Sequence, residues 1–273
     1  VSLGACLENI KLAATFFHLQ YQIEYFNKEE KYNILLAKVI FSDKKDLVVV
    51  DTRIEKLFKA IVNRHSAKLK YKKEPVDDVF LSLLKSVNDD ESLDLSVIVD
   101  FDVIKRLGAF AAEGTRRAFK SKQFREELSC WIKNSMTNAP DGMPGFTVGI
   151  PWLFSFIAPA MIKRFDIGAI QAKMTSNLLT ESPGSIIIST KNNTPIEWVR
   201  AGGLMEIISL LATNNGYGLM PLGAPVEYDD ITKRLQKDLE LQFFPAVFLR
   251  IGKPSRPTPI APRLNLEKVI NVN

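Results

Sequence analysis

The stretch RHSAKLKY, Arg64–Tyr71, sets a guanidinium, a hydroxyl and an ammonium at alternate positions: Arg64, Ser66 and Lys68. Ahead of it, Ile54, Leu57, Phe58 and Ile61 recur at the spacing of one apolar helix face. After it come Pro75 and a second apolar-periodic run, Val79 to Val87. The segment is therefore expected to leave a helix and run extended, where alternate side chains share a face. Two readings fit. The three side chains converge on an anion, with the Arg64 fork able to hold two phosphate oxygens. Alternatively they belong to a solvated basic stretch that continues through Lys70, Lys72 and Lys73.

The composition around this stretch is that of a globular chain. Of 273 residues, 46% are hydrophobic and 25% charged, enough apolar mass for one large domain or two small ones. The net charge of +5 suits anionic ligands, but acids and bases alternate along most of the chain. A nucleic-acid partner is not expected from that distribution. Cys6 and Cys130 stand far apart in no metal or redox spacing, and no signal peptide precedes them, so a cytoplasmic setting is expected. The most apolar run, Ile150 to Ile162, holds two prolines and is shorter than the roughly 20 residues a membrane span needs. No membrane is expected.

Alternating and helical patterns divide the chain. Leu3, Leu7, Ile10, Ala14 and Phe17 form a helical stripe, followed by strands at YQIEYF and LAKVIF and a charged break at Asp43–Asp46. LDLSVIVDF reads as a buried strand. Residues 102–133 read as one amphipathic helix or a pair, with Ile104, Leu107, Phe110 and Ala111 in the first stripe and Phe124, Leu128 and Trp131 in the last. NAPDGMPGF is a loop by its Pro and Gly. Residues 146–182 are apolar without a clean period and read as an insertion, a flap. Then come a strand at GSIIIST, a helix over 195–213 with Trp198, Ile208, Leu211 and Ala212 available for burial, and a turn at GYGLMPLGAP. A helix over Thr232–Leu239 and a strand at FFPAVFLRIG follow, and a proline-rich tail runs along the surface.

One stretch echoes another. GACLENIKLAA from Gly4 aligns without gaps to GGLMEIISLLA from Gly202, with Glu8 on Glu206 and Leu12 on Leu210. This suggests two copies of one unit, the first lacking its start. The chain begins without Met, inside or at the edge of a helix, and is expected to extend upstream.

The usual catalytic sets are missing. Two histidines, His18 and His65, exclude a multi-histidine zinc site, and no nucleophile elbow, phosphate-binding P-loop or dinucleotide fingerprint occurs. His18 lies by Phe16 and Phe17 and reads as structural. No carboxylate pair offers itself as acid and base. An anion site without a protein nucleophile points to a cofactor that carries the chemistry. Two further places fit such a site: MPLGAP, where Gly223 lets the backbone approach a flat ligand, and Arg263 in APRLN. A simple turn and a surface-paired tail residue are the plain alternatives.

The order of these motifs resembles the FMN-dependent nitroreductase family. RHSAK matches that family's R-x-S-x-[RK] segment, MPLGAP its Pro/Gly turn by the flavin ring, FLRIG its closing strand and Arg263 its C-terminal base. FREELSCWI followed by DGMP, the run from Glu197 to Tyr228, FFPAVFLRIGKPSRPTPIAPR and VSLGACLENIKLAA look closest to the Acg-type twin-domain proteins, which fuse two such halves into an intramolecular pseudo-dimer. Nothing matches the family's APS-x-x-N-x-QPW-like loop, and Ala261 stands where many relatives carry a second base.

The resemblance implies an α+β, nitroreductase-like fold, mainly antiparallel sheet wrapped by helices with a lid-like insertion. Residues 1–50 would be the remnant of a first half and 51–273 a second half, with 136–182 the candidate lid. It implies FMN held by Arg64, His65, Ser66, Lys68, Pro221, Leu222, Gly223 and Arg263, with no protein catalytic residue and no metal. The activity implied is NAD(P)H-dependent reduction of a small aromatic acceptor, a nitroaromatic or quinone, through that FMN. The alternative is a flavin-sequestering protein whose covered site does not turn over. The assembly implied is a pseudo-dimer or a homodimer.

Overall fold

The computed structural model describes residues 1–26, 35–45, 51–139 and 141–270. The first part holds α1 (Ser2–Phe16) and a two-stranded antiparallel ribbon of β1 (Leu19–Tyr25) and β2 (Ala37–Lys45). Then follow α2 (Thr52–Ala60), α3 (Asp78–Lys85), β3 (Leu93–Ile98), α4 (Phe101–Lys120) and α5 (Lys122–Trp131). Two-residue strands β4 (Ile132–Lys133) and β5 (Met143–Pro144) lead into α6 (Ala158–Arg164) and α7 (Gly168–Thr180). The chain continues through β6 (Gly184–Thr190), α8 (Pro195–Asn214), β7 (Gly218–Pro221), α9 (Asp229–Asp238) and β8 (Phe244–Gly252).

Side-chain caps set several of these starts. Asp51, Asp77 and Asp100 accept main-chain N–H bonds from the first turns of α2, α3 and α4, satisfying donors that a helix cannot satisfy itself. Ser121 is extended and accepts from Phe124 N, so the long amphipathic run is a helix pair broken at that residue.

The main sheet is antiparallel throughout, in the order β3-β6-β8-β7. Its side chains alternate between two cores. Ile186, Ile188, Leu249 and Ile251 pack with Leu57, Phe80, Leu84, Ile208 and Leu210 from α2, α3 and α8. Ile187 and Phe248 pack on the other face with Ile104, Leu107, Leu179 and Leu235 from α4, α7 and α9. Covered on both sides, β6 is buried along its whole length.

Helix α8 is buried around most of its circumference because the sheet lies on one side and α1 crosses the other. Glycine makes that crossing possible. A Cβ on Gly4 would fall 1.7 Å from Val199 O, and one on Gly202 would fall 1.9 Å from Val1 O. The face of α1 that is buried is therefore small and short, and Leu3 and Phe17 of the expected stripe are exposed.

Other expectations need correction. Residues 64–71 form single bridges, Ser66 to Leu219 and Tyr71 to Pro254, and no regular strand. The charged break at Asp43 lies inside β2, which runs to Lys45, and Asp46 lies outside the described residues. Trp131 and Trp198 are about half exposed, Trp198 donating its indole N–H to Asn193 Oδ1 at 2.8 Å. The 136–182 stretch divides into two parts. Its last third is α7, which lies along α4 with Ala172 and Leu179 fully buried. The part before it builds a small core of its own, Ile132, Phe119 and Ile162 with Met143, Val148 and Ile150, and exposes Trp152, Leu153, Phe154 and Phe156 outward.

Candidate functional site

Past the end of α2 the chain turns, with Arg64 N donating to Ala60 O at 2.9 Å. It then runs beside the free edge of β7. Ala67 N donates to Leu219 O at 2.8 Å, and further along Lys72 N donates to Lys253 O at 2.8 Å. Beyond β8 the tail folds back over this segment, where Ser255 N and Oγ both donate to Lys70 O and the Arg263 guanidinium donates to Arg64 O at 2.7 Å.

These contacts gather Arg64, His65, Ser66, Lys68 and Arg263 around one cavity of about 220 Å³. The proline-rich 259–263 segment closes one side, and Gly142, Met143 and Thr147 of the insertion close another. Burial holds the Lys68 ammonium below the usual lysine range. The Arg64 Nε lies 3.3 Å from Oε1 of Glu206, a carboxylate buried in α8 that also accepts from Asn9 Nδ2 at 3.1 Å. His65 Nδ1 bonds Asn63 O at 2.8 Å. A cluster of two guanidiniums, an ammonium and a hydroxyl is the donor set that a phosphate monoester requires.

Pro221, Leu222 and Gly223 border a different space, a cleft of about 540 Å³ shared with Trp198 and Met205 of α8, Val1 and Ser2, and the start of β8. Leu222 N donates to Phe248 O at 2.8 Å, and Glu227 lies over Gly223, where a Cβ would meet its carboxylate at 2.2 Å. The two spaces are linked by β7. Ser66 bridges Leu219, and Pro221 is two residues on, roughly 7 Å along the strand.

Sequence pattern alone gives no site role to three residues beside the small cavity. Glu206, Tyr71 and Arg250 all lie behind the segment that lines the anion cavity. The Tyr71 hydroxyl donates to Ala67 O at 3.0 Å, and its pKa is pushed up to about 12 by burial, against the opposing charge of Arg250. Arg250 is 1% exposed, and burial lowers its pKa. Both charges stand alone in apolar runs, GGLMEIISLLA and FFPAVFLRIG, and that isolation was the available signal.

No family model matches the chain, and no curated protein matches it. Solved structures do. Oxidized iodotyrosine deiodinase bound to FMN and 3-iodo-L-tyrosine superposes with a TM-score of 0.51 at 15% identity. The FMN-dependent nitroreductase of Mycobacterium smegmatis in complex with NADPH gives 0.51 at 13%. A nitroreductase with bound FMN from Desulfitobacterium hafniense gives 0.50 at 14%. Each comparison covers 80% of this chain and 98% of the other. At such identities the likeness establishes architecture: the chain has a nitroreductase-like fold of helices around an antiparallel sheet.

Proposed function

We propose that this chain is an FMN-binding oxidoreductase of nitroreductase type. The observation that carries the reading is the convergence of Arg64, Ser66, Lys68 and Arg263, from two distant segments, on one cavity of a nitroreductase-like fold. Arg64 grips the phosphate while Glu206 holds its Nε and fixes the plane of the fork. Ser66 and Lys68 add a hydroxyl and an ammonium, and Arg263 ties the tail across the mouth. Pro221, Leu222 and Gly223 would border the isoalloxazine from the larger cleft, which Glu227, packed over Gly223, also lines. When bound, FMN supplies electron transfer from NAD(P)H to a small aromatic acceptor, a nitroaromatic or quinone. The protein contributes grip, orientation and a water-poor surround. The test is spectroscopic and kinetic. The purified chain mixed with FMN should retain flavin absorbance through gel filtration and oxidise NAD(P)H with a quinone; loss of the flavin on the column would defeat the reading.

A second reading, flavin sequestration without turnover, draws on Gly142, Met143 and Thr147, which wall the anion cavity. Retained flavin with no NAD(P)H oxidation would select it.

We also infer that residues 1–50 are a partial copy of the unit that contains α8, in the manner of the Acg-type twin-domain proteins, with 51–273 the other half. The α1–α8 crossing supports this. Gly4 meets Val199, three residues before Gly202, and Gly202 meets Val1, three residues before Gly4. Under the Gly4–Gly202 alignment each contact is the image of the other, as in the isologous interface of a two-fold dimer. The 80% of the chain covered by the solved structures also matches 51–273 in length.

A further inference from the structure

Arg250 is a buried cation. Among the described residues no carboxylate forms an ion pair with it. Its Nη2 donates to Ala67 O at 3.0 Å and to Leu69 O at 2.7 Å, with Met220 Sδ at 3.6 Å. Its Nη1 lies 3.4 Å from Ser182 Oγ, and its Nε has no partner. Its Cζ stands 4.2 Å from the centroid of the Tyr71 ring. Packing alone does not call for this residue. A buried charge is costly to desolvate, and an apolar side chain of similar volume fills such a space at no electrostatic cost.

The position explains the charge. The carbonyls that Arg250 gathers belong to residues 67 and 69, and the residues that line the anion cavity are 66 and 68. Along a near-extended segment successive side chains alternate between two faces, so Ser66 and Lys68 share one face and Ala67 the other, while the carbonyls of residues 67 and 69 both point to the same edge of the segment. We propose that Arg250 is the positioning residue of the anion site. Its planar fork, braced on Tyr71, draws the carbonyls of Ala67 and Leu69 inward and so turns Ser66 and Lys68 toward the cavity. Its uncompensated charge acts through a low-dielectric interior, so that a bound dianion becomes the missing counter-ion. This rests on the phosphate reading above and adds to it a determinant that never touches the ligand.

The test compares FMN with riboflavin, which has the same ring and no phosphate. Affinities are measured well below each variant's melting temperature for wild type, Arg250→Met, Arg250→Lys, Tyr71→Phe and Arg64→Ala. Supporting groups behind ligands are worth on the order of 10- to 100-fold at metal sites, and Arg250→Met should weaken FMN by about tenfold or more on that scale. Riboflavin, which brings no phosphate to the site, should change less than about twofold, or roughly 0.4 kcal/mol. Arg250→Lys keeps the charge without the fork and should recover only part of the loss. Tyr71→Phe, which removes one bond to Ala67 O and no charge, should leave the FMN-to-riboflavin ratio near that of wild type. Equal losses of both flavins in Arg250→Met, or no loss of FMN, would overturn the proposal. If that variant does not fold, a wild-type ratio in Arg250→Lys overturns it instead. An Arg64→Ala variant without FMN-specific loss removes the phosphate reading and this inference together; FMN-specific loss in Arg64→Ala with an unchanged Arg250→Met removes only this one.

Discussion

At Arg64 the guanidinium Nε faces the buried Glu206 carboxylate, which leaves its two Nη groups outside that ion pair. Arg64→Ala therefore changes two things. A hydrogen bond from a charged group contributes about 1.5–3 kcal/mol, so FMN affinity should fall on the order of ten- to a hundredfold. Glu206 is left with Asn9 alone, and an undersatisfied buried acceptor should cost about 1–3 kcal/mol of stability. Calorimetry and flavin titration separate the two, because riboflavin feels only the second. Unchanged FMN affinity would remove phosphate binding from this residue. Ser66→Ala should show a smaller FMN loss and little change in stability, its hydroxyl being neutral.

Lys68 adds a pH dependence whose sign is fixed by its lowered pKa. Without ligand, the unfolded chain binds a proton that the native chain has released, in the window between the lowered native pKa and the ordinary 10.5. Stability of the flavin-free protein should rise with pH through that window. FMN affinity should fall through the same window, since the ammonium is the form that holds a phosphate. From about pH 10 upward Tyr71 acts the other way: native Tyr71 keeps its proton toward 12 while the unfolded residue loses it, and stability declines. Titrations of Lys68→Met against wild type should show the affinity slope flattened. An identical slope would mean that Lys68 does not touch the anion.

At the scale of elements, the crossing of α1 and α8 gives the sharpest contrast between neighbouring positions. An Ala methyl at Gly202 collides with the main chain at Val1, so the helices must separate, at a cost of about 1–3 kcal/mol. Each kcal/mol is worth roughly 2–4 °C in a chain of this size. At Gly203 the nearest atom is Glu8 Oε2 at 3.3 Å, a carboxylate that can swing aside, and helical Gly→Ala gains up to about 1 kcal/mol. Gly203→Ala should then melt at or above the wild type and Gly202→Ala several degrees below. Equal melting temperatures would mean that α1 does not pack on α8 in solution.

The elements themselves were largely legible because period and caps are local. Asp51, Asp77 and Asp100 sit directly before apolar periodicities, and GSIIIST and FFPAVFLRIG read as the central strands they are. The grouping of donors around the small cavity was legible in part, since three of them lie within five residues and Arg263 comes from afar. What failed was what depends on a partner in space. Leu3 and Phe17 look like core on an isolated helix, yet the crossing seats Gly4 against α8 and leaves both exposed. Asp43 looks like a break, yet β2 runs through it. Glu206 and Arg250 look like interruptions in apolar runs, and their meaning appears only when α2 and the 64–71 segment are laid across them.

For the molecule as a whole, the two cores and the insertion predict where flavin should and should not be felt. Helix α7 belongs to the sheet's second core with α4, and its buried Ala172 and Leu179 see neither cavity. The 142–148 stretch belongs to the small third core and supplies Gly142, Met143 and Thr147 to the anion cavity. Elements with few buried contacts open at lower free energy than those in the main core, and a ligand raises the free energy of every opening that abolishes its site, global unfolding included. Amide hydrogen exchange with and without FMN should therefore show α7 slowed by no more than the gain in global stability that FMN confers. The 142–148 amides should exchange faster without FMN and slow when it binds, together with 64–68 and 259–263. If FMN slows 64–68 while 142–148 is unaffected, the insertion does not close over the phosphate, and flavin sequestration loses its structural basis. Slowing of α7 beyond the global gain and matching that of 142–148 would instead mean that the insertion and α7 open as one unit, despite the separate cores in which they are packed.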